Sequence, residues 1–121
     1  MERMETNFVV MPKDANHYGN VHGGVIMLAV DNLAYSIASR YSRMNVVTAR
    51  ISELNFKNPV KVGDMVLLTS EIIRIGNSSL DVKIGIQGEN LHTGEIFEVA
   101  DALLTMVAID QSGKPCPIKK I

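Results

Sequence analysis

The chain has 121 residues, 46 % of them hydrophobic, and a formal net charge of −1. That length accommodates one domain of ordinary size around one core, and residues 1–121 are expected to form one. A near-neutral balance supplies no basic footprint for nucleic acid. The longest uninterrupted apolar run, residues 25–30, is too short to cross a bilayer, and no apolar secretory segment follows Met1. With Cys116 the only cysteine, no internal disulfide framework is possible, and a cytoplasmic location is the default expectation.

Taken in order, residues 8–11 predict a short strand stopped by Pro12, and residues 13–22 an irregular polar loop with a turn signal at Gly19-Asn20. One long helix follows over residues 24–41, roughly 25 Å in length. Its apolar residues, among them Leu28, Ala29, Val30, Leu33, Ala34, Ile37, Ala38 and Tyr41, fall nearly all round it, as in a helix surrounded by protein. Asn45–Phe56 predicts a strand whose phase shifts. Val47, Ala49 and Ile51 share one face and Leu54 and Phe56 the other, which a bulge near Ser52-Glu53 would reconcile. Met65–Ile75 is a third strand ending at Gly76-Asn77. Leu80, Val82, Ile84 and Ile86 then alternate with polar or small residues in a half-buried fourth. After a loop at 90–95, Ile96–Ile109 forms a long last strand, and a turn at 110–113 leads into a polar tail. The last three strands read as an antiparallel meander. A helix apolar on most sides calls for a strongly curved sheet wrapped round it, in an α+β fold, with some helix surface left for a second subunit.

Two features carry chemistry on their own residue types. Asp31 is a carboxylate in the middle of the apolar helix, costly there unless paired, solvated or used. Such a group deprotonates water or attacks an acyl carbon itself; the sequence leaves both routes open, as well as a purely structural pairing. Gly23-Gly24 opens the helix, where backbone N–H groups lack intrahelical partners. Without side chains there, a substrate oxygen can approach those donors, and the positive helix end favours developing negative charge. The plainer explanation is tight packing at the helix start. His17, His22 and His92 have no metal-ligand spacing with cysteine or a carboxylate cluster. Cys116, between two prolines, has no base beside it in sequence and reads as an incidental thiol.

An ordered set of short motifs points further. It comprises Asn16-His17-Tyr18-Gly19-Asn20-Val21-His22-Gly23-Gly24, Asp31, Val47-Thr48, Phe56-Lys57-Asn58-Pro59-Val60, Val62-Gly63-Asp64, Arg74-Ile75-Gly76-Asn77-Ser78-Ser79, and Val107-Ala108-Ile109-Asp110 with Gly113-Lys114-Pro115. In this order and spacing the chain resembles the hotdog-fold acyl-CoA thioesterases, most closely the YciA-like and cytosolic acyl-CoA hydrolase group. The resemblance implies a five-stranded antiparallel sheet around the central helix, edge-to-edge homodimers that commonly assemble as a trimer of dimers, and equivalent sites in a homo-oligomer. It implies acyl-CoA as substrate, coenzyme A entering only as part of it, with no separate cofactor, no metal, no nucleic-acid partner and no membrane partner. Carried over residue by residue, it makes Asp31 the general base or nucleophile and Asn16 the amide that assists. The backbone of residues 23–25, with Gly23 and Gly24, becomes the oxyanion contact, and Thr48 a neighbour of the site. The family assigns the base elsewhere than His22. Arg74 and the turn Gly76, Asn77, Ser78 and Ser79 match the segment near the nucleotide; Lys57, Lys119 and Lys120 are further cations. The alternatives are a PaaI-like aryl- or phenylacetyl-CoA thioesterase and a non-catalytic acyl-CoA-binding domain. Binding alone requires neither Asn16 nor Asp31, and residues 107–115 favour the first reading.

Overall fold

Ile26, Val30, Leu33 and Ile37 stand three or four residues apart and so share one side of a helix. In the computed structural model, which describes residues 2–118, that helix is α1, Gly23–Ser42, and all four side chains are buried. It begins after His22, whose extended backbone (φ −67°, ψ 137°) carries the first carbonyl acceptor. It ends at Arg43, whose left-handed backbone (φ 57°) turns its N–H back to the Ser39 carbonyl at 2.7 Å.

Five strands supply the cover: β1 (Arg3–Val9), β2 (Asn45–Phe56), β3 (Met65–Ile75), β4 (Ser79–Glu89) and β5 (Ile96–Ile109). They lie in the order β1-β3-β4-β5-β2, every pair antiparallel. The predicted meander is β3-β4-β5, and α1 carries the chain from one edge of the sheet to the other. Side chains alternate across a strand, so each contributes every second residue to the core. In β4 these are Leu80, Val82, Ile84 and Ile86; in β5, Ala102, Leu104, Met106 and Ala108; all eight are buried against the helix side. Burying one large aliphatic side chain contributes about 1.5–3 kcal/mol, so this row and its helical counterpart dominate stability.

The sequence and the structure differ in three places. β1 begins at Arg3 rather than at residue 8, and ends at Val9 before a 3-10 turn, Pro12–Asp14. Its early residues gave no strand signal because Arg3, Glu5 and Asn7 face solvent on an edge strand, where only Met4 and Phe8 pack inward. The expected bulge near Ser52 is present, and a second register shift falls at Ala49. Val47, Ala49 and Ile51 are exposed in the protomer and do not share a face, since the shift at Ala49 leaves Val47 opposite Val107 and puts Ile51 opposite the buried Leu104; Val46 is the buried residue of this edge strand. The helix, finally, is not covered all round. Leu28 is 61 % and Tyr35 50 % exposed, and Met27 is also open.

Gly88 has a packing reason of its own. It pairs with Phe97 across β4 and β5, and a Cβ built at residue 88 would lie 2.5 Å from the Phe97 ring. The ring therefore rests on the glycine backbone. Gly88→Ala is expected to cost about 1–3 kcal/mol through overpacking, seen as a lower urea midpoint at unchanged slope. Phe97→Leu added to it should recover part of that loss, because the colliding ring is gone. Wild-type stability of Gly88→Ala would refute this.

Candidate active site

The approach to α1 is a small built structure. Ala15 and Val21 bridge, the Asn16 N–H reaches the Asn20 carbonyl at 2.8 Å, and Gly19 (φ 82°) makes the turn. The Asn16 side-chain oxygen accepts from the Tyr18 and Asn20 N–H groups at 2.9 and 3.2 Å. This is the local turn chemistry expected of asparagine. It occupies the oxygen and leaves the Nδ2 amide with no acceptor among the described residues. Three further bonds anchor the loop: Val21 N–H to the Val60 carbonyl, Val62 N–H to Gly19, and His22 N–H to Asp14.

At the helix start, the Val25 and Ile26 N–H groups both turn to the His22 carbonyl, at 3.0 and 3.4 Å. The Val25 donor is thus occupied, which narrows the expected contact at residues 23–25. Gly23 and Gly24 have no acceptor among the described residues. Neither glycine has a positive φ, and a Cβ on Gly24 would meet nothing within 4 Å. Tight packing inside the protomer therefore does not explain Gly24. What its hydrogen side chain provides is open space directly before two unpaired donors.

Two turns along, Asp31 is half-buried. The Thr48 hydroxyl on β2 donates to its Oδ1 at 2.5 Å, and the Met106 sulfur lies 3.5 Å from the same hydroxyl. The strand threonine thus positions the helix carboxylate, one of the roles the residues left open. No donor among the described residues reaches Oδ2, so one carboxylate oxygen is held and the other is available.

The second predicted group is separate within a protomer. Thr48 pairs with Met106, Met106 with Leu80, and Leu80 with Ile75, so Thr48 and the β3 end share one row of the sheet. The row puts Ile75 roughly 14 Å from Thr48, three strand spacings away. The Arg74 guanidinium lies on the outer face, away from α1. There its Nε binds Asp81 Oδ2 at 2.7 Å and its Nη2 reaches the Ser79 hydroxyl at 3.4 Å. Thr105 donates to the other Asp81 oxygen at 2.8 Å. Gly76 is tight against the guanidinium, since a Cβ there would be 2.9 Å from Nη1. The backbone carbonyls of Asn77 and Ser78 take N–H groups from Ile118 and Ala108, and their side chains make no hydrogen bond among the described residues. Lys57 pairs with Asp101 at 3.1 Å. Lys119 and Lys120 lie outside the described residues.

Of the remaining candidates, His22 is exposed and makes no side-chain cap, and Cys116 is a half-buried free thiol. Among the described residues no group of three or more His, Cys, Asp or Glu could hold a metal ion, and no helix is long and apolar enough to cross a membrane. The sequence missed a cavity of about 350 Å³ beside Gly23, walled by Ile26, Phe56, Pro59, Val60 and Val99. It also missed Asp81 as the partner of Arg74, although the two flank a tight turn.

The arrangement defines a hotdog-fold protein: a long helix cradled by a five-stranded antiparallel sheet, with a carboxylate on the helix and unpaired donors at its start. Residues 18–90 match the Thioesterase superfamily, and the chain belongs to that family. An uncharacterized acyl-CoA thioester hydrolase of Bacillus subtilis is 34 % identical over all of this chain and 76 % of its own length. An apo-hexameric acyl-CoA thioesterase superimposes with a TM-score of 0.92 at 36 % identity, over 96 % of this chain and 74 % of that one. The acyl-CoA hydrolase of Staphylococcus aureus, solved with butyryl coenzyme A and coenzyme A, gives a TM-score of 0.89 at 30 % identity, over 96 % and 71 %. Alanine variants of that enzyme were solved at an asparagine, an aspartate and a threonine whose mutual spacings equal those of Asn16, Asp31 and Thr48.

A neighbouring cation shapes the titration of Asp81. Arg74 first, and Thr105 beside it, hold the Asp81 carboxyl below its ordinary value. A carboxyl depressed in the folded state contributes stability above its unfolded pKa of about 3.9, lost as pH falls through the folded value. The melting-temperature gap between wild type and Asp81→Asn is therefore expected to be full at pH 6 and to narrow below about pH 4. A gap independent of pH would show that the pair does not act through charge.

Proposed function

We propose that this chain is an acyl-CoA thioester hydrolase whose site pairs the Asp31 carboxylate with the N–H groups of Gly23 and Gly24. The observation that carries it is the Thr48 to Asp31 hydrogen bond, which leaves one carboxylate oxygen unoccupied on a helix that starts with two unpaired donors. The family, and the aspartate and threonine at matching spacings in a hydrolase solved with butyryl coenzyme A, support the reading. The thioester oxygen lies on the glycine donors, which stabilise the charge that develops on it. The Asp31 oxygen either takes a proton from the attacking water or attacks the acyl carbon directly. In both routes the carbon–sulfur bond breaks, a proton reaches the coenzyme A sulfur, and water hydrolyses the acyl group to free acid. Asn16 contributes its Nδ2 donor, its oxygen being occupied by the loop. Arg74 and the Gly76, Asn77, Ser78 and Ser79 turn attract the nucleotide phosphates from the sheet end. No separate cofactor enters, and the location is cytoplasmic.

The same reading makes the site a product of two copies. Gly24 and Asp31 are seven residues apart on one helix, roughly 10 Å along its axis. Catalytic contacts are about 3 Å each, so one helix spans the gap poorly. An antiparallel second helix brings Asp31 of one copy to the glycine end of the other. The open stripe of Met27, Leu28 and Tyr35, and the solvent-facing Val47 and Ile51 on edge strand β2, fit such a pairing. Hexamers among the relatives are consistent with dimers assembled in threes.

Released thiol from acyl-CoA measures the activity. Asp31→Ala is expected to lower turnover at least ~100-fold while folding is retained. Thr48→Val, which keeps the shape and loses the hydroxyl, should lower it about tenfold through misplacement of the carboxylate. Near-normal turnover in folded Asp31→Ala would remove the assignment. For the shared site, Asp31→Ala protein is exchanged with Gly24→Pro protein, each inactive alone. About a quarter of the wild-type rate should return, because half the dimers are mixed and each carries one intact site of two. No recovery despite exchange seen by mass would mean that each copy holds a complete site.

A further inference from the structure

We infer that the cavity beside Gly23 receives the acyl chain, and that Phe56 is its specificity-determining wall. The inference rests on the hydrolase reading above. Gly23, whose N–H has no acceptor among the described residues, lines the cavity, so its mouth offers a donor to an oxygen. Behind that point the wall is hydrocarbon. Ile26, Val60 and Val99 are fully buried and form the floor, while Phe56 and Pro59 stand exposed at the rim. Several polar groups nearby are already engaged. The Val60 carbonyl takes the Val21 N–H, the Val99 carbonyl the Lys57 N–H, Asn58 Nδ2 donates to the Glu98 carbonyl at 2.7 Å, and the Lys57 ammonium pairs with Asp101. An occupant with one oxygen at the mouth and an apolar body behind it matches the Gly23 donor and the Ile26, Val60 and Val99 floor.

The size narrows the class further. At about 350 Å³ the cavity is at the small end of ligand pockets, which run from roughly 300 to 1,000 Å³. A short or medium straight aliphatic chain fits; a long one must leave the cavity. Phe56 controls this because its ring stands 3.7 Å from the position a Gly23 Cβ would occupy, next to the reacting carbon, with half its surface open. It is an exposed side chain on the wall of the cavity. Its exposure also makes it replaceable without emptying the core.

The experiment measures kcat/KM for straight-chain acyl-CoAs from acetyl to palmitoyl with wild type, Phe56→Ala and Phe56→Trp, each shown folded by thermal melting. In wild type each added methylene should raise kcat/KM about fourfold until the cavity is full, after which the rise stops. Phe56→Ala should lower the octanoyl-to-acetyl ratio at least tenfold by removing the wall the chain packs on. Phe56→Trp should move the end of the rise to a shorter chain. An unchanged chain-length profile in both variants would overturn the inference while leaving the hydrolase intact. If wild type releases no thiol from any acyl-CoA, the hydrolase reading itself fails. Should Phe56→Ala unfold, Phe56→Leu reads the same ratio with a smaller expected fall.

Discussion

Packing of α1 against the concave sheet governs everything else in the molecule, because one sheet can cover only one side of a helix. Five strands bury Ile26, Val30, Leu33 and Ile37 completely and leave Leu28 and Tyr35 in the open. The buried side fixes the register and the height of the helix. The open side carries Gly24 and, at its margin, Asp31. A carboxylate at this boundary is close enough to β2 to be held by Thr48 and is still accessible.

The same constraint explains why the two halves of the proposed site lie apart. The donors, the Gly23 and Gly24 N–H groups, belong to the first turn of the helix and have no intrahelical partners for a purely geometric reason. The carboxylate belongs to the middle, where a neighbouring strand is near enough to orient it. No bend in α1 brings them together. The exposed apolar stripe and the free edge of β2 are surfaces that a second copy can cover. In the proposed function, such a pairing would complete the site as well as bury apolar area.

The outer face follows different rules. Arg74, Asp81 and Thr105 form a network on the side of the sheet that α1 does not touch, and Gly76 is small because the guanidinium needs the room. An arginine near a turn resembles a phosphate ligand in sequence, but this one is also half of an ion pair. Of its five N–H groups, those engaged among the described residues are one on Asp81 and one on Ser79.

Local patterns in the sequence determined the long helix, the limits of β2, β3 and β5, the alternation in β4 and the bulge near Ser52. Each of these is a matter of periodicity or turn chemistry within a few residues. The residue types of Asp31 and Gly23-Gly24 likewise declared themselves, since a carboxylate in an apolar helix and glycines at its start are locally anomalous. Only the tertiary structure decided that Thr48 holds Asp31, because that contact joins residues 17 positions apart on different elements. Only it decided that Val47 and Ile51 lie on opposite faces, since the register shift at Ala49 breaks the alternation between them, and that both stay exposed on an edge strand. The start of β1 at Arg3 was hidden for a related reason: an edge strand needs few apolar residues when its neighbour supplies the hydrogen bonds. The cavity beside Gly23 exists where the helix start, the end of β2 and β5 meet, and no spacing along one segment encodes a meeting of three.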